Sequence, residues 1–234
     1  MNPPTHLALF DLDHTLLPFD SDYQWAEFLA RTGRAGDPEQ ARRRNKDLMR
    51  RYNEGILSAE EAADFMLGLL RLGKPDELGQ WHRDYMTEII EPGILPVACE
   101  LVAGHRDRGG LCAIVTATNA FVTTPIARML GFEHLIATIP QRDAQGYYTG
   151  RIEGTPSFKA GKVLRVRQWL EGLGLQLEDF QESWFYSDSM NDLPLLEAVT
   201  HPVATNPSSA LRETATGRGW RILDLFGPLQ DAKS

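Results

Sequence analysis

The sequence predicts an α/β protein: a parallel sheet core interrupted by an inserted α-helical cap. Short apolar runs that end at polar residues alternate with stretches of helical periodicity. That alternation stops between about residues 18 and 92, where only helical patterns occur, and then resumes. The division that follows is a core of 1–17 and 93–234 and a cap of 18–92.

The first strand is the run LALF at 7–10, which stops at Asp11. Three more runs of this kind lie at 111–116 (LCAIVT), 135–139 (LIATI) and 184–187 (WFYS). They are short, rich in β-branched or aromatic residues, and end on polar residues, as strands of a parallel sheet do at the edge where ligands bind. Helical patterns at 124–130 and 162–173 separate them. In the interval after the first strand, helices are expected over 21–31, 38–52, 58–72 and 75–90, with Phe65, Leu69 and Leu72 at helical spacing. Ser58 with Glu61 matches a capping box, and Pro75 suits a first helical turn. The segment QRDAQGYYTGRI at 141–152 reads as a hairpin turning at Gln145-Gly146.

With 234 residues, 42% hydrophobic and 24% charged, the chain has the size and make-up of a globular protein with room for an inserted unit. Its net charge of -8 argues against a general nucleic-acid binder and against an anionic membrane surface, so an anionic substrate needs a locally positive site. The basic run Arg42-Arg43-Arg44 with Arg50-Arg51 is expected to be a solvated helix face. Cys99 and Cys112 are expected to be buried thiols and not a disulfide. No cationic start precedes the first apolar run, which is too short for a signal core, and the expected location is cytoplasmic.

The chemistry begins at Asp11-Leu12-Asp13. Carboxylates two residues apart on a strand point the same way and repel, so a positive partner is needed. A second acidic cluster, Asp188-Ser189-Met190-Asn191-Asp192, ends the run at 184–187. If the two strands adjoin, Asp11, Asp13 and Asp188 converge and call for a hard cation. Oxygen-only ligation with water positions left open suits Mg²⁺ better than Zn²⁺ or a Ca²⁺ cage.

Asp11-Leu12-Asp13-His14-Thr15-Leu16 resembles the first motif of the haloacid dehalogenase-like phosphatase superfamily, and Asp188 to Asp192 its acidic fourth motif. Thr116 fits the second motif, and a lysine before the fourth motif fits the third. Lys162 is preferred for that place, with Lys159 in reserve. The helical insertion is similar to that of the subgroup containing phosphoserine phosphatase. The resemblance covers essentially the whole chain and implies a Rossmann-like core.

It further implies that Asp11 is a nucleophile forming an aspartyl-phosphate and that Asp13 is a general acid and base. Mg²⁺ would be bound by Asp11, Asp188 and the main-chain carbonyl of Asp13, with Asn191 and Asp192 in support. Thr116, Ala117 and Lys162 would bind phosphate. His14 is expected to line a loop and Thr15 to brace a turn. Thr116-Ala117-Thr118-Asn119 departs from the family pattern, since it lacks the glycines that often follow the second-motif hydroxyl.

For the substrate, the resemblance matches Asp20 to the acidic residue that binds an ammonium group. No arginine or lysine occurs between residues 52 and 70, where a carboxylate partner belongs. Because an unpaired carboxylate in a closed site is costly, the expected substrate is a small amine-bearing phosphorylated metabolite such as histidinol phosphate. Phosphoserine stays possible if Arg71 or the 42–51 arginines reach the site. Trp25 or Tyr23 would pack on the ring, and Trp25 serves equally well as helix core. The expected activity is a Mg²⁺-dependent phosphomonoesterase; alternatives on the same scaffold are a phosphotransferase to an acceptor alcohol and a non-enzymatic binding protein.

Overall fold

The computed structural model describes residues 5–53, 56 and 59–227. Seven strands form one sheet in the order β4-β3-β2-β1-β5-β6-β7. They are β1 (His6–Phe10), β2 (Leu111–Asn119), β3 (His134–Arg142), β4 (Tyr148–Glu153), β5 (Glu182–Ser187), β6 (His201–Thr205) and β7 (Arg221–Leu223). All neighbours run parallel except the β3–β4 hairpin. The chain leaves β1 toward β2 on one side and returns to β5 on the other. The carboxyl ends of β1 and β5 therefore flank a topological switch point, where the connections diverge and leave a crevice.

Alternation along each strand sorts the core into two layers. Ala8 and Phe10 of β1, Cys112 and Ile114 of β2, and Tyr186 of β5 face one cluster. Leu7 and Leu9, Ala113 and Val115, and Phe185 face the other. These side chains are almost wholly buried, and each large one contributes about 1.5–3 kcal/mol. The second face is covered by α8 (Ala160–Gly172), the short α9 (Leu193–Leu196) and α10 (Ser209–Arg218).

On the first face lie α6 (Pro96–Arg106) and α7 (Ala120–Met129), together with helices from the insertion. Those are α1 (Ser21–Arg31), α3 (Ala59–Leu69) and α4 (Pro75–Tyr85); α2 (Pro38–Asn53) packs on α1, and the single turn α5 (Glu91–Gly93) comes after α4. The capping role expected of Ser58 falls outside the described residues. Trp25 of α1, Leu67 of α3 and Tyr85 of α4 share one cluster with Phe10 and Ile114 of the sheet. Tyr85 Oη donates to the carbonyl of Ser21 at 2.8 Å, and His82 Nε2 donates to that of Val122 at 3.0 Å, tying α4 to α1 and to α7.

The structure revises several expectations. The helix expected over 75–90 ends at Tyr85 and widens into a π turn at Met86–Ile90. Pro92 follows directly; it has no N–H to donate and its ring crowds the carbonyl of Glu88, so a regular helix cannot run through it. Leu72 lies beyond α3 and is exposed. β2 continues to Asn119, three residues past the expected end, and β6 and β7 were not foreseen. Both cysteines are free thiols, but Cys99 is exposed. The hairpin turns as expected, with Gly146 at φ 87° and Asp143 Oδ1 accepting from the N–H groups of Gln145 and Tyr147. Among the described residues no helix is long and apolar enough to cross a membrane.

Below the carboxyl edge a buried polar chain links the strands to α6. His6 Nδ1 lies 3.1 Å from Glu182 Oε2, His6 Nε2 2.7 Å from His105 Nδ1, and His105 Nε2 2.6 Å from Tyr186 Oη. One tautomer assignment satisfies all three: His6 Nδ1–H donates to Glu182, His105 Nδ1–H to His6, and Tyr186 O–H to His105. Burial, aided by His6 and Arg108, lowers the His105 pKa to about 4. The folded state thus holds a neutral imidazole that the unfolded chain protonates near pH 6.5. The stability this contributes is complete above that pH, declines as pH falls toward 4, and levels off below. Urea melts from pH 7 to 4 should show a smaller acid-side loss in H105Q than in the native chain. Carboxyls with raised pKa act in the opposite sense, so the difference between the two proteins is the measured quantity.

Candidate active site

The register places Phe10 beside Tyr186 on one side and Ile114 on the other. Asp11, one residue on, donates its N–H to the carbonyl of Tyr186 at 2.9 Å, so β1 and β5 stay paired up to the first carboxylate. Asp188 follows β5, and Thr116 lies in β2 two residues past the partner of Phe10. Three strand ends thereby deliver their polar residues to one edge.

Lys162 crosses to that edge from the first turn of α8. Its Nζ donates to Asp11 Oδ1 at 2.8 Å and to Asp192 Oδ2 at 2.7 Å, with the lysine 2% exposed. Asp192 is held in turn by Ser187 Oγ at 2.7 Å. Burial alone would lower the Lys162 pKa, but the carboxylates of Asp11 and Asp192 outweigh it and keep the ammonium charged. The start of α8 is pressed against the preceding loop: a Cβ on Gly161 would stand 2.2 Å from the carbonyl oxygen of Pro156, so only glycine permits this approach. Lys159, the reserve candidate, is exposed and takes φ 50° just before the helix.

The carboxyl groups are electrostatically strained. Burial pushes Asp11 well above the usual range, against the pull of Lys162, and Asp192, Asp188 and Asp13 add to the push. Burial and then Asp192 raise Asp188 to about 7. Asp13 rises to about 6 through burial and the charge of Asp20. Its side chain turns toward α1: Oδ1 accepts from Ser21 N at 2.8 Å and Oδ2 from Thr118 Oγ1 at 2.7 Å.

Among the described residues no three His, Cys, Asp or Glu side chains converge as a metal chelate. The Asp13 carboxylate is bonded to Ser21 and Thr118, which agrees with its main-chain carbonyl, and not its side chain, being the group expected to face an ion. The donors left at the strand ends are the carboxylates of Asp11 and Asp188 and the main-chain carbonyl of Asp13. An all-oxygen set of this kind is the chemistry that suits a hard cation.

Thr116 is buried, and its Oγ1 accepts from the N–H of Thr118 at 3.1 Å. Thr118 and Ser187 hold Asp13 and Asp192, and neither role was foreseen. The available signal was spacing, since Thr118 stands two residues past Thr116 on the same strand and so shares its face. Asn191 N donates to Ser189 Oγ at 3.2 Å in the turn after β5. His14 sits exposed in the loop after β1 at φ 57°, its carbonyl accepting from Asn206 Nδ2 at 2.9 Å. Thr15 does not brace the turn through its hydroxyl: Oγ1 is buried without a partner among the described residues.

Beside these groups lies a cavity of about 570 Å³ between the insertion helices and the sheet edge. Leu48, Met49, Ala62, Ala63, Met66 and Leu67 form its helical side. The sheet side runs from Ala117, Thr118 and Asn119 to Thr138, Ile152 and Phe158, and Asp20 and Asp22 close one end. No described lining residue is Lys, Arg or His. The 42–51 arginines are not lining residues; Arg43 pairs with Glu39 and Arg51 with Glu61. Arg71 packs on Gly150. Trp25 is fully buried among Phe28, Tyr85, His82 and Phe121, so it is helix core, and Phe158 is the aromatic group on the cavity. Tyr23 does not line it either.

Residues 8–197 match the family model described as haloacid dehalogenase-like hydrolase. The chain belongs to that family. A histidinol-phosphatase of Neisseria meningitidis serogroup C (strain 8013) is 38% identical over 219 residues, covering 94% of this chain and 98% of that protein. A crystal structure of a Bordetella pertussis Tohama I protein described as having unknown function is 65% identical with a TM-score of 0.93, covering 96% of this chain and 100% of that one. A substrate-bound phosphoserine phosphatase shares the fold at 21% identity and a TM-score of 0.67, covering 95% and 94%. This hydrolase thus combines the family architecture with a polar cluster at the end of β1.

Replacing Lys162 by Met leaves the carboxylates of Asp11 and Asp192 buried without a cation. In metal-free protein at pH 8, K162M is expected to lose roughly 3–5 kcal/mol of unfolding free energy, measured by urea titration. The loss should shrink as pH falls, because burial raises the Asp11 pKa and its carboxyl then takes up a proton.

Proposed function

We propose that this hydrolase is a Mg²⁺-dependent phosphomonoesterase acting on a small amine-bearing phosphorylated metabolite of the histidinol phosphate class. The observation that carries the proposal is the charged Lys162 held between Asp11 and Asp192 at the switch point, with Asp188 and Asp13 beside them. An anionic substrate entering a chain of net charge -8 needs such a local cation. Residues 18–92 act as the cap that encloses the leaving group, over a core of 1–17 and 93–234.

Asp11 attacks phosphorus in line, the bond to the leaving alkoxide breaks, and an aspartyl-phosphate forms. Asp13, with a pKa raised to about 6, gives its proton to the alkoxide. It then takes a proton from the water that hydrolyses the intermediate, which releases phosphate and restores Asp11. Thr116 Oγ1 accepts from the chain, so its own proton is available to a phosphate oxygen, and the N–H groups at Ala117 and Lys162 Nζ complete the cradle. Asp11, Asp188 and the carbonyl of Asp13 would hold Mg²⁺, with Asn191 and Asp192 in support. When bound, the ion supplies charge neutralisation between carboxylate and phosphate.

The class of leaving group follows from the cavity. Two carboxylates stand at one end, and among the described residues no cation faces it. An ammonium is matched there and a carboxylate is not, which supports histidinol phosphate over phosphoserine. The name of the Neisseria relative supports the same class.

Phosphate release from histidinol phosphate is expected to stop in D11N and in chelator-treated protein, and to return to the latter on adding Mg²⁺. At roughly hundredfold excess over its dissociation constant, Mg²⁺ should raise the Tm by about 5 °C or more. D188N should lose most of that rise.

A further inference from the structure

Resting on the phosphatase proposal, we infer that Asp22, positioned by Asn119, selects the ammonium-bearing leaving group, and that Asp20 serves chiefly as a helix cap. Both residues close the same end of the cavity, but their partners differ. Asp20 is the N-cap of α1: Oδ1 accepts from the N–H of Tyr23 at 2.8 Å, and its backbone is extended at φ -85° and ψ 117°. The helix N-terminus therefore already compensates that charge.

Asp22 receives no capping N–H. Its Oδ1 accepts from Asn119 Nδ2 at 2.9 Å. Asn119 is fixed in turn, because its Oδ1 caps α7 by accepting from Val122 N at 3.2 Å. The Asn119 amide thus holds one carboxyl at the end of a cavity that Asp20 also lines and where no described lining side chain is cationic; burial, then Asp20 and Asp13, push the Asp22 carboxyl well above its usual range. Such a group is costly for the empty fold and becomes favourable when a cation arrives with the ligand. The rest of the enclosure is apolar, with Met49, Met66, Ile152 and Phe158 on the walls. That pairing of surfaces fits a primary amine joined to a flat, weakly polar body.

This accounts for the sequence Thr116-Ala117-Thr118-Asn119 where the family often has glycines. Glycines there would expose the main chain to phosphate but offer no side chains. Here Thr118 grips Asp13 and Asn119 grips Asp22, so the end of β2 sets both the proton donor and the amine anchor. Asn119 is a positioning residue; Asp22 is the one that touches substrate.

The test compares histidinol phosphate with the amine-free ester p-nitrophenyl phosphate, using the Mg²⁺-loaded native chain, D22N, D20N and N119A. The ratio of kcat/KM for the amine ester to that for the amine-free ester should fall by about 30-fold or more in D22N, mainly through KM. N119A should move the ratio in the same direction by a smaller factor, and it tests the assignment independently should D22N fail to fold. D20N should lower Tm with a ratio change under about 3-fold. A larger ratio change in D20N than in D22N overturns the assignment, as does an unaltered ratio in both D22N and N119A. If the native chain releases phosphate from neither ester, it is the phosphatase proposal that fails. If it cleaves only the amine-free ester, the amine class and the role of Asp22 fail together while the phosphatase chemistry stands.

Discussion

Lys162 Nζ lies 2.8 Å from Asp11 and 2.7 Å from Asp192 in a place with almost no solvent to screen the charges. Everything else at the site is arranged round that contact. Four carboxyl groups of the cluster, on Asp11, Asp13, Asp188 and Asp192, come from two strand ends 177 positions apart in the chain, counting from 11 to 188. Without a buried cation their repulsion would open the junction of β1 and β5. The lysine reaches them because Gly161 lets the first turn of α8 press against the carbonyl of Pro156. Burial and the neighbouring carboxylates still push the carboxyls of Asp11 and Asp188 upward, so one lysine does not offset all the acidity gathered there, and the proposed Mg²⁺ would supply the rest.

Sheet topology makes the convergence possible. Parallel strands point their carboxyl ends the same way, and the reversal of direction at β1 leaves a crevice that no connection fills. Alternation along β1 then divides the work: Leu7 and Leu9 bind one helical layer, Ala8 and Phe10 the other, and the first residue past the strand is free for chemistry. The hydrogen-bonded chain from Glu182 through His6 and His105 to Tyr186 anchors the same two strands from below, with His105 held neutral at physiological pH by its burial.

The insertion helices do two things with one packing arrangement. Their inner faces share a core with the sheet through Trp25, Leu67 and Tyr85, which fixes their position. Further along, α2 and α3 leave an apolar cavity whose acidic end comes from the start of α1. Asp13 is bonded to both sides of this boundary, to Ser21 of α1 and to Thr118 of β2. Placement of the proposed acid and placement of the helical layer are therefore a single event.

The sequence by itself determined the α/β class, the existence of the strands bearing Asp11 and Thr116 and leading to Asp188, and the helical character of 18–92, because these depend on local periodicity and on where apolar runs stop. It also favoured Lys162 over Lys159, since only the former begins the apolar pattern of the helix. Contacts between distant segments were not legible. That Trp25 is core and Phe158 lines the cavity depends on which helix face meets which strand. That Asp13 turns toward Ser21 and Thr118, and that Asp22 meets Asn119, depends on side-chain directions set by neighbours about a hundred residues away. β6 and β7 escaped notice because short strands gain their stability from pairing with β5 and with each other, a cross-chain interaction with little local signature.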